Sequence, residues 1–139
     1  MASTRAQVLA AVELLVETAL PNADMRRNAP KADGLTAGGV VNMRDGDPGE
    51  PDVLMSPLSK TYNHRISLEL APPAGADAVT WLDAANTALR AAVRANRQLG
   101  GLAEWLEAEE PVTDDAETLG APEVIWAEIG LIAVYTTLD

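Results

Sequence analysis

The sequence predicts an α+β domain, with one mostly antiparallel sheet packed by an N-terminal helix and a long central helix. Three observations carry that expectation. Residues 61–70 alternate apolar and polar side chains without a break, as a strand with one buried and one wet face does. Residues 78–98 repeat apolar side chains at helical spacing, and Gly100 and Gly101 follow. The stretch from Val124 to Thr137 is apolar on both faces, as expected of a strand inside a sheet that is covered or used in assembly.

Each element can be justified in chain order. Thr4 and Gln7 fit a capping box, after which Val8, Leu9, Val12, Leu15, Val16, Ala19 and Leu20 make one apolar helix face. Pro21 stops that helix. Residues 22–37 read as irregular, with the dense basic cluster Arg26, Arg27 and Lys31 among Asn, Pro and Gly. A short strand is expected from Gly39 to Met43. Residues 44–57 read as a flexible loop of Asp, Gly and Pro, in which Val53, Leu54 and Met55 fit a brief second strand. In the strand from Thr61 to Leu70, Tyr62, His64, Ile66, Leu68 and Leu70 share the apolar face.

Ala71 to Gly75 then break the chain, and Asp77 is placed to cap the central helix from Ala78 to Gln98. Trp81, Leu82, Ala85, Leu89, Ala92 and Val93 form its apolar arc, with Arg90, Arg94 and Arg97 on the opposite side. Gly100 and Gly101 are expected to end it through a left-handed cap. Leu102, Trp105 and Leu106 fit one further amphipathic turn, and residues 107–120 read as an acidic loop.

The chain of 139 residues is the size of a single domain spanning 1–139, and its 47% hydrophobic content is enough for a real core. With no Phe, that core must be mainly Val, Leu, Ile and Ala. No run approaches the roughly 18 apolar residues of a membrane span. Residues 1–20 lack the uninterrupted apolar region of a secretory signal, so assembly in the cytoplasm is expected.

Charge is distributed unevenly. Ten basic residues nearly cancel eleven acidic ones up to Arg97, and ten acidic residues with no basic one follow it. A surface of net charge −11 repels nucleic acid and anionic membrane, and it suits a basic protein partner or simple solubility.

Few residues offer catalytic chemistry. The chain has no cysteine and one histidine, which removes thiolate nucleophiles and Cys- or His-based metal clusters. Gly38-Gly39 and Gly100-Gly101 are isolated pairs, not phosphate loops. Asp114 and Asp115 lack the spacing of a calcium loop. Neither cofactor nor metal is expected. His64 falls on the apolar face of its strand, where a hydrogen-bonded core histidine is the simpler reading. A Ser-His-Asp arrangement using Ser56, Ser59 or Ser67 stays open. The Arg90, Arg94 and Arg97 stripe reads as a solvated helix side paired with carboxylates, as a contact with an acidic neighbouring subunit or as a DNA contact, though three arginines without interleaved aromatics are too few to diagnose the last. Trp105 and Trp126 read as core residues or as interface anchors.

Taken together, the N-terminal helix, the strand Thr61-Tyr62-Asn63-His64-Arg65-Ile66-Ser67-Leu68-Glu69-Leu70, the helix ending Arg97-Gln98-Leu99-Gly100-Gly101 and the final strand from Ala127 to Thr137 resemble the tail terminator (tail-completion) proteins of long-tailed bacteriophages and of phage-like gene transfer agents. In that family a long helix ends in a leucine-glycine-glycine step and the chain closes on a strand with a tyrosine-threonine finish. The acidic stretch 107–117 departs from the pattern. The resemblance implies a structural virion protein, not an enzyme. It would form a homo-oligomeric ring, usually a hexamer, at the head-proximal end of the tail tube, in contact with the major tail tube protein and the head–tail connector or stopper. DNA would meet it only in transit through the lumen. On this reading Arg90, Arg94, Arg97, Trp126 and Glu128 are candidates for the subunit interface. Arg44, Asp45, Asp47, Glu50 and Asp52 are candidates for a loop that orders on the tube or connector. Another neck or minor tail protein, such as a head–tail stopper, and a small hydrolase or acyl-transfer enzyme remain as alternatives.

Overall fold

A computed structural model of the chain describes residues 2–29, 38–73, 75–113 and 127–138. It contains two helices, α1 (Thr4–Ala19) and α2 (Ala78–Ala95), and seven strands: β1 (Asp24–Arg27), β2 (Val40–Arg44), β3 (Asp52–Met55), β4 (Leu58–Ala71), β5 (Trp105–Ala108), β6 (Val112–Thr113) and β7 (Ala127–Thr137). The strands form one sheet in the order β1-β2-β4-β7-β5, with β3 alongside β4 and β6 alongside β7. Every pairing is antiparallel except β1 with β2. The expected α+β class, with a mostly antiparallel sheet and two packing helices, is therefore the observed one.

The sheet is organised around β4 and β7, which pair from Lys60↔Thr137 to Leu70↔Ala127. Strict alternation along β4 sends His64, Ile66, Leu68 and Leu70 inward, all fully buried. Across the register, Ala133, Leu131, Ile129 and Ala127 of β7 lie on the same face. The amphipathic faces of both helices cover that side: Val8, Leu9, Val12 and Val16 from α1, and Leu89 and Val93 from α2, join the strand residues in one core. Burying each large aliphatic side chain there contributes about 1.5–3 kcal/mol.

The opposite face of β4 and β7 carries Arg65, Ser67, Ile132 and Val134, and no described helix covers it. Ile132 and Val134 are half-buried, sitting in register with Arg65, Glu107, Asn63 and Trp105 on the flanking strands. The apolar character of β7 on both faces thus reflects one core face and one face shielded by its neighbours.

Several local expectations change. The N-cap of α1 is Ser3, one residue before the expected Thr4; its hydroxyl accepts the Ala6 N–H at 3.1 Å, and the Gln7 amide donates to the Ala2 carbonyl. Asp77 does occupy the N-cap of α2, yet its carboxylate takes the Thr80 hydroxyl and no backbone N–H. The α2 helix ends at Ala95, where Asn96 leaves helical geometry (φ −146°, ψ 55°); its side chain accepts the Gly100 N–H in the turn that follows. Leu99, Gly100 and Gly101 then turn through positive φ as a short 3-10 segment, so the glycines shape the turn beyond the helix and do not cap it. Asp24–Arg27, inside the stretch read as irregular, is a strand held by parallel pairing with β2. Trp105-Leu106, read as a helical turn, and Glu107-Ala108, read as loop, form β5 because β7 offers its free edge to them. Val112 and Thr113 pair with β7 as well. Lys31, Asp114, Asp115 and Trp126 lie outside the described residues.

Candidate interaction surface

The central helix and the edge strand β5 together build one flank of the molecule. Arg90 reaches from α2 to the Glu109 carbonyl at 2.9 Å, to the Asn86 side chain and to the Glu110 carboxylate at 3.0 Å. Two turns on, Arg97 donates to the Leu106 carbonyl at 2.9 Å, lies 3.6 Å from Glu107, and stacks its guanidinium 4.7 Å from the centroid of the Trp105 ring. Trp105 in turn donates its indole N–H to Glu107. The arginines therefore close over backbone carbonyls at the sheet edge, where an open strand would otherwise pair with another chain. Arg94, between them, is exposed and has no ion pair among the described residues. The three line a shallow cavity of about 130 Å³ with Val93, Glu107 and Ala108. Arg90 and Arg97 thus have carboxylate partners in their own chain, and Arg94 of the stripe has none among the described residues.

On the other side of the β4–β7 pair, β3 and the first residues of β4 form a hairpin, in register from Asp52↔Thr61 to Met55↔Leu58, turning through a cis Ser56–Pro57 bond. Both strands are exposed at the tip. Met55 is 75% exposed, Leu54 60%, Val53 51% and Leu58 41%. In an antiparallel pair opposite residues share a face, so Val53, Met55 and Leu58 continue the core-facing side of β4 past Tyr62, with Lys60 among them opposite Val53. The sheet's apolar stripe runs beyond the helices meant to cover it. Isolated exposed apolar residues are ordinary; Val53, Met55 and Leu58 grouped around Lys60 on one face make a candidate contact surface.

The root of this arm is firmly held. The His64 Nε2–H donates to the Asp45 carbonyl, which can only accept, leaving Nδ1 to accept the Tyr135 hydroxyl at 2.8 Å. Burial, the largest effect, pushes the His64 pKa below its ordinary 6.5; Arg5 also lowers it, while the Asp45 carbonyl and the Asp45 and Asp47 carboxylates oppose the shift. Burial likewise raises the Tyr135 hydroxyl. The Asp45 carboxylate grips Arg27 through two hydrogen bonds, at 2.8 and 3.1 Å, and this pairing holds its pKa below the usual value. Arg27 also reaches Glu13 of α1 at 3.5 Å. Gly46 follows with φ +70°, and a side chain there would collide with the Arg65 carbonyl.

Of the loop residues predicted to meet a partner, Arg44 is bound to Glu69 and to the Ala29 carbonyl, and Asp45 to Arg27. Asp47 accepts the Gly49 N–H. Glu50 and Asp52 are exposed and have no side-chain partner among the described residues. The first three thus shape the base of the arm, and the outermost carboxylates flank its apolar tip. That tip was legible as Val53-Leu54-Met55 between two prolines; what pattern alone omits is that no helix covers it.

Glu128, another predicted interface residue, lies on the open sheet face and accepts from Arg65 at 3.0 Å and from Ser67 at 2.7 Å. Arg65 also pairs with Glu109 at 2.8 Å, crossing β7 at Gly130, where a Cβ would meet both side chains. Trp126 lies outside the described residues. His64 is 0% exposed with both ring nitrogens bonded, and Ser67 points to the opposite face, toward Glu128. A general base in a pocket beside a nucleophile, which the enzyme alternative requires of His64, is not the environment this residue has. Among the described residues no cluster of three or more His, Asp or Glu side chains converges, and no helix is long and apolar enough to cross a membrane. No protein-family model and no curated protein matches this chain.

Proposed function

We propose that the chain is a structural subunit of a phage-like tail, of the tail-terminator kind. It would assemble as a homo-oligomeric ring, a hexamer by the family's habit, on the head-proximal end of the tube, and join it to the head connector. The observation that carries the assembly part of this reading is the β3–β4 arm. Its rigidly anchored root and uncovered apolar tip belong to a protein that meets another protein. The tail part rests on the resemblance of the β4, α2 and β7 sequences. The partners are then a second copy of the chain, the major tail tube protein and the connector or stopper, within the virion or an equivalent particle. With a net charge of −11, a lumen lined by such subunits lets DNA slide through without binding it.

The test is the solution mass of the purified protein, together with negative-stain images taken alone and with the major tube protein. Rings, or caps at one end of short tubes, are the expected result. A monomer that leaves tubes untouched at both ends would overturn the proposal.

A further inference from the structure

We infer that Met55, at the tip of the β3–β4 arm, is the site at which peroxide oxidises this protein, and that its sulfoxide switches off the contact the arm makes. The place of the reaction follows from the fold alone. Its effect on assembly rests on the assembly part of the proposed function.

The chain has four methionines. Met43 of β2 is 0% exposed, and Met25 of β1 is half-buried against the core. Met1 lies outside the described residues. Met55, the last residue of β3, is 75% exposed. A peroxide must touch the sulfur to react, so a thioether in solvent reacts directly, whereas one in the core reacts only when the sheet opens. The step transfers one oxygen. The sulfur lone pair attacks the peroxide, the O–O bond breaks, water leaves, and the thioether becomes a sulfoxide. No cysteine is present to compete for the oxidant.

The position of Met55 gives the product its consequence. Its side chain stands opposite Leu58 and shares a face with Val53 and Lys60. A sulfoxide there puts a polar S=O group among the aliphatic side chains of the arm's contact face. The bonds that anchor the arm, from His64 to the Asp45 carbonyl and from Asp45 to Arg27, lie at its root and are left as they are. Oxidation at Met55 therefore changes the surface and not the fold, whereas the same oxygen on Met43 would enter the core.

Dilute protein, sedimenting as single copies, is treated briefly with hydrogen peroxide, and its peptides are mapped by mass spectrometry. Met55 should be oxidised on the order of tenfold faster than Met25 or Met43. An equal rate at either of those two would overturn the site. The oxidised protein is then concentrated and sedimented beside the untreated one. It should associate about tenfold more weakly, and methionine sulfoxide reductases for both epimers should restore it. Met55→Leu keeps the apolar tip without the sulfur, and should assemble with or without peroxide. Unchanged assembly after full oxidation of Met55, or a Met55→Leu protein that peroxide still takes apart, would overturn the switch. If the untreated protein stays monomeric at every concentration, the assembly reading fails and the switch with it, while the peptide map still decides the site.

Discussion

At the β5 flank, Arg90 of α2 and Arg97 just beyond it bind backbone carbonyls at the strand edge, and a tryptophan packs under one guanidinium. At the β3 flank, Val53, Leu54, Met55 and Leu58 stand in solvent, with Lys60 opposite Val53. Both regions are edges of the same sheet, yet one is defended against pairing and the other is offered. An edge is ordinarily blunted by charge, as at β5. Leaving β3 apolar while anchoring its root through His64, Asp45 and Arg27 assigns the two flanks different roles. One covers a strand edge with arginines; the other extends apolar side chains into solvent.

The comparison is broken most severely at the root of the arm. Replacing His64 with Ala removes a buried ring and strands the Tyr135 hydroxyl and the Asp45 carbonyl. The expected loss is about 3 kcal/mol, read from chemical denaturation. A Gly46→Ala change should cost about 2 kcal/mol in the same experiment, since it puts a side chain at positive φ against the Arg65 carbonyl. An unchanged denaturation midpoint for both variants would mean that the arm is not anchored there.

The defended flank makes a subtler prediction. The double change Arg90→Ala, Arg97→Ala should lower stability by only about 1 kcal/mol, because both side chains are partly solvated. It should nevertheless introduce concentration-dependent aggregation, visible by light scattering, as the edge of β5 is uncovered. A double variant that stays as soluble as the parent would remove the distinction between the two edges.

Acid sharpens the account at the smallest scale. The pKa of His64 is depressed in the folded chain, so the unfolded chain binds a proton first as pH falls. The stability contributed by neutral His64 is complete above pH 6.5 and is lost as pH falls below 6.5 toward the depressed folded value. Thermal midpoints should therefore decline across that window, and His64→Gln should flatten the decline. Asp45 adds a second loss below its ordinary value of 3.8, as its bond to Arg27 is protonated away.

These features differ in how far the sequence exposed them. The β4 strand was readable because its two faces contact different media, which imposes alternation on Tyr62 through Leu70. The first helix and its stop at Pro21 were readable for equally local reasons. By contrast, Asp24-Met25-Arg26-Arg27 has no alternation of its own and becomes a strand only because β2 pairs with it. Trp105-Leu106-Glu107-Ala108 fits a helix turn and a strand about equally, and the long-range register with β7 decides. The arginine stripe was visible as a periodic pattern, but its partners were not. The Leu106 and Glu109 carbonyls carry no sequence signature, so the contacts of Arg97 and Arg90 with the β5 edge could not be read from the stripe. The arm was visible only as composition, since exposure depends on where the helices end.

The central claim is that the arm holds copies of the chain together. The most direct measurement is the sedimentation mass of the wild-type protein beside a Leu54→Asp, Met55→Asp variant. Both substituted side chains are exposed, so the two proteins should unfold within about 0.5 kcal/mol of one another. The account predicts a multi-copy assembly for the wild type and a monomer of 14.6 kDa for the variant. An assembly that survives the two aspartates unchanged, or a wild type that is itself monomeric, would contradict it.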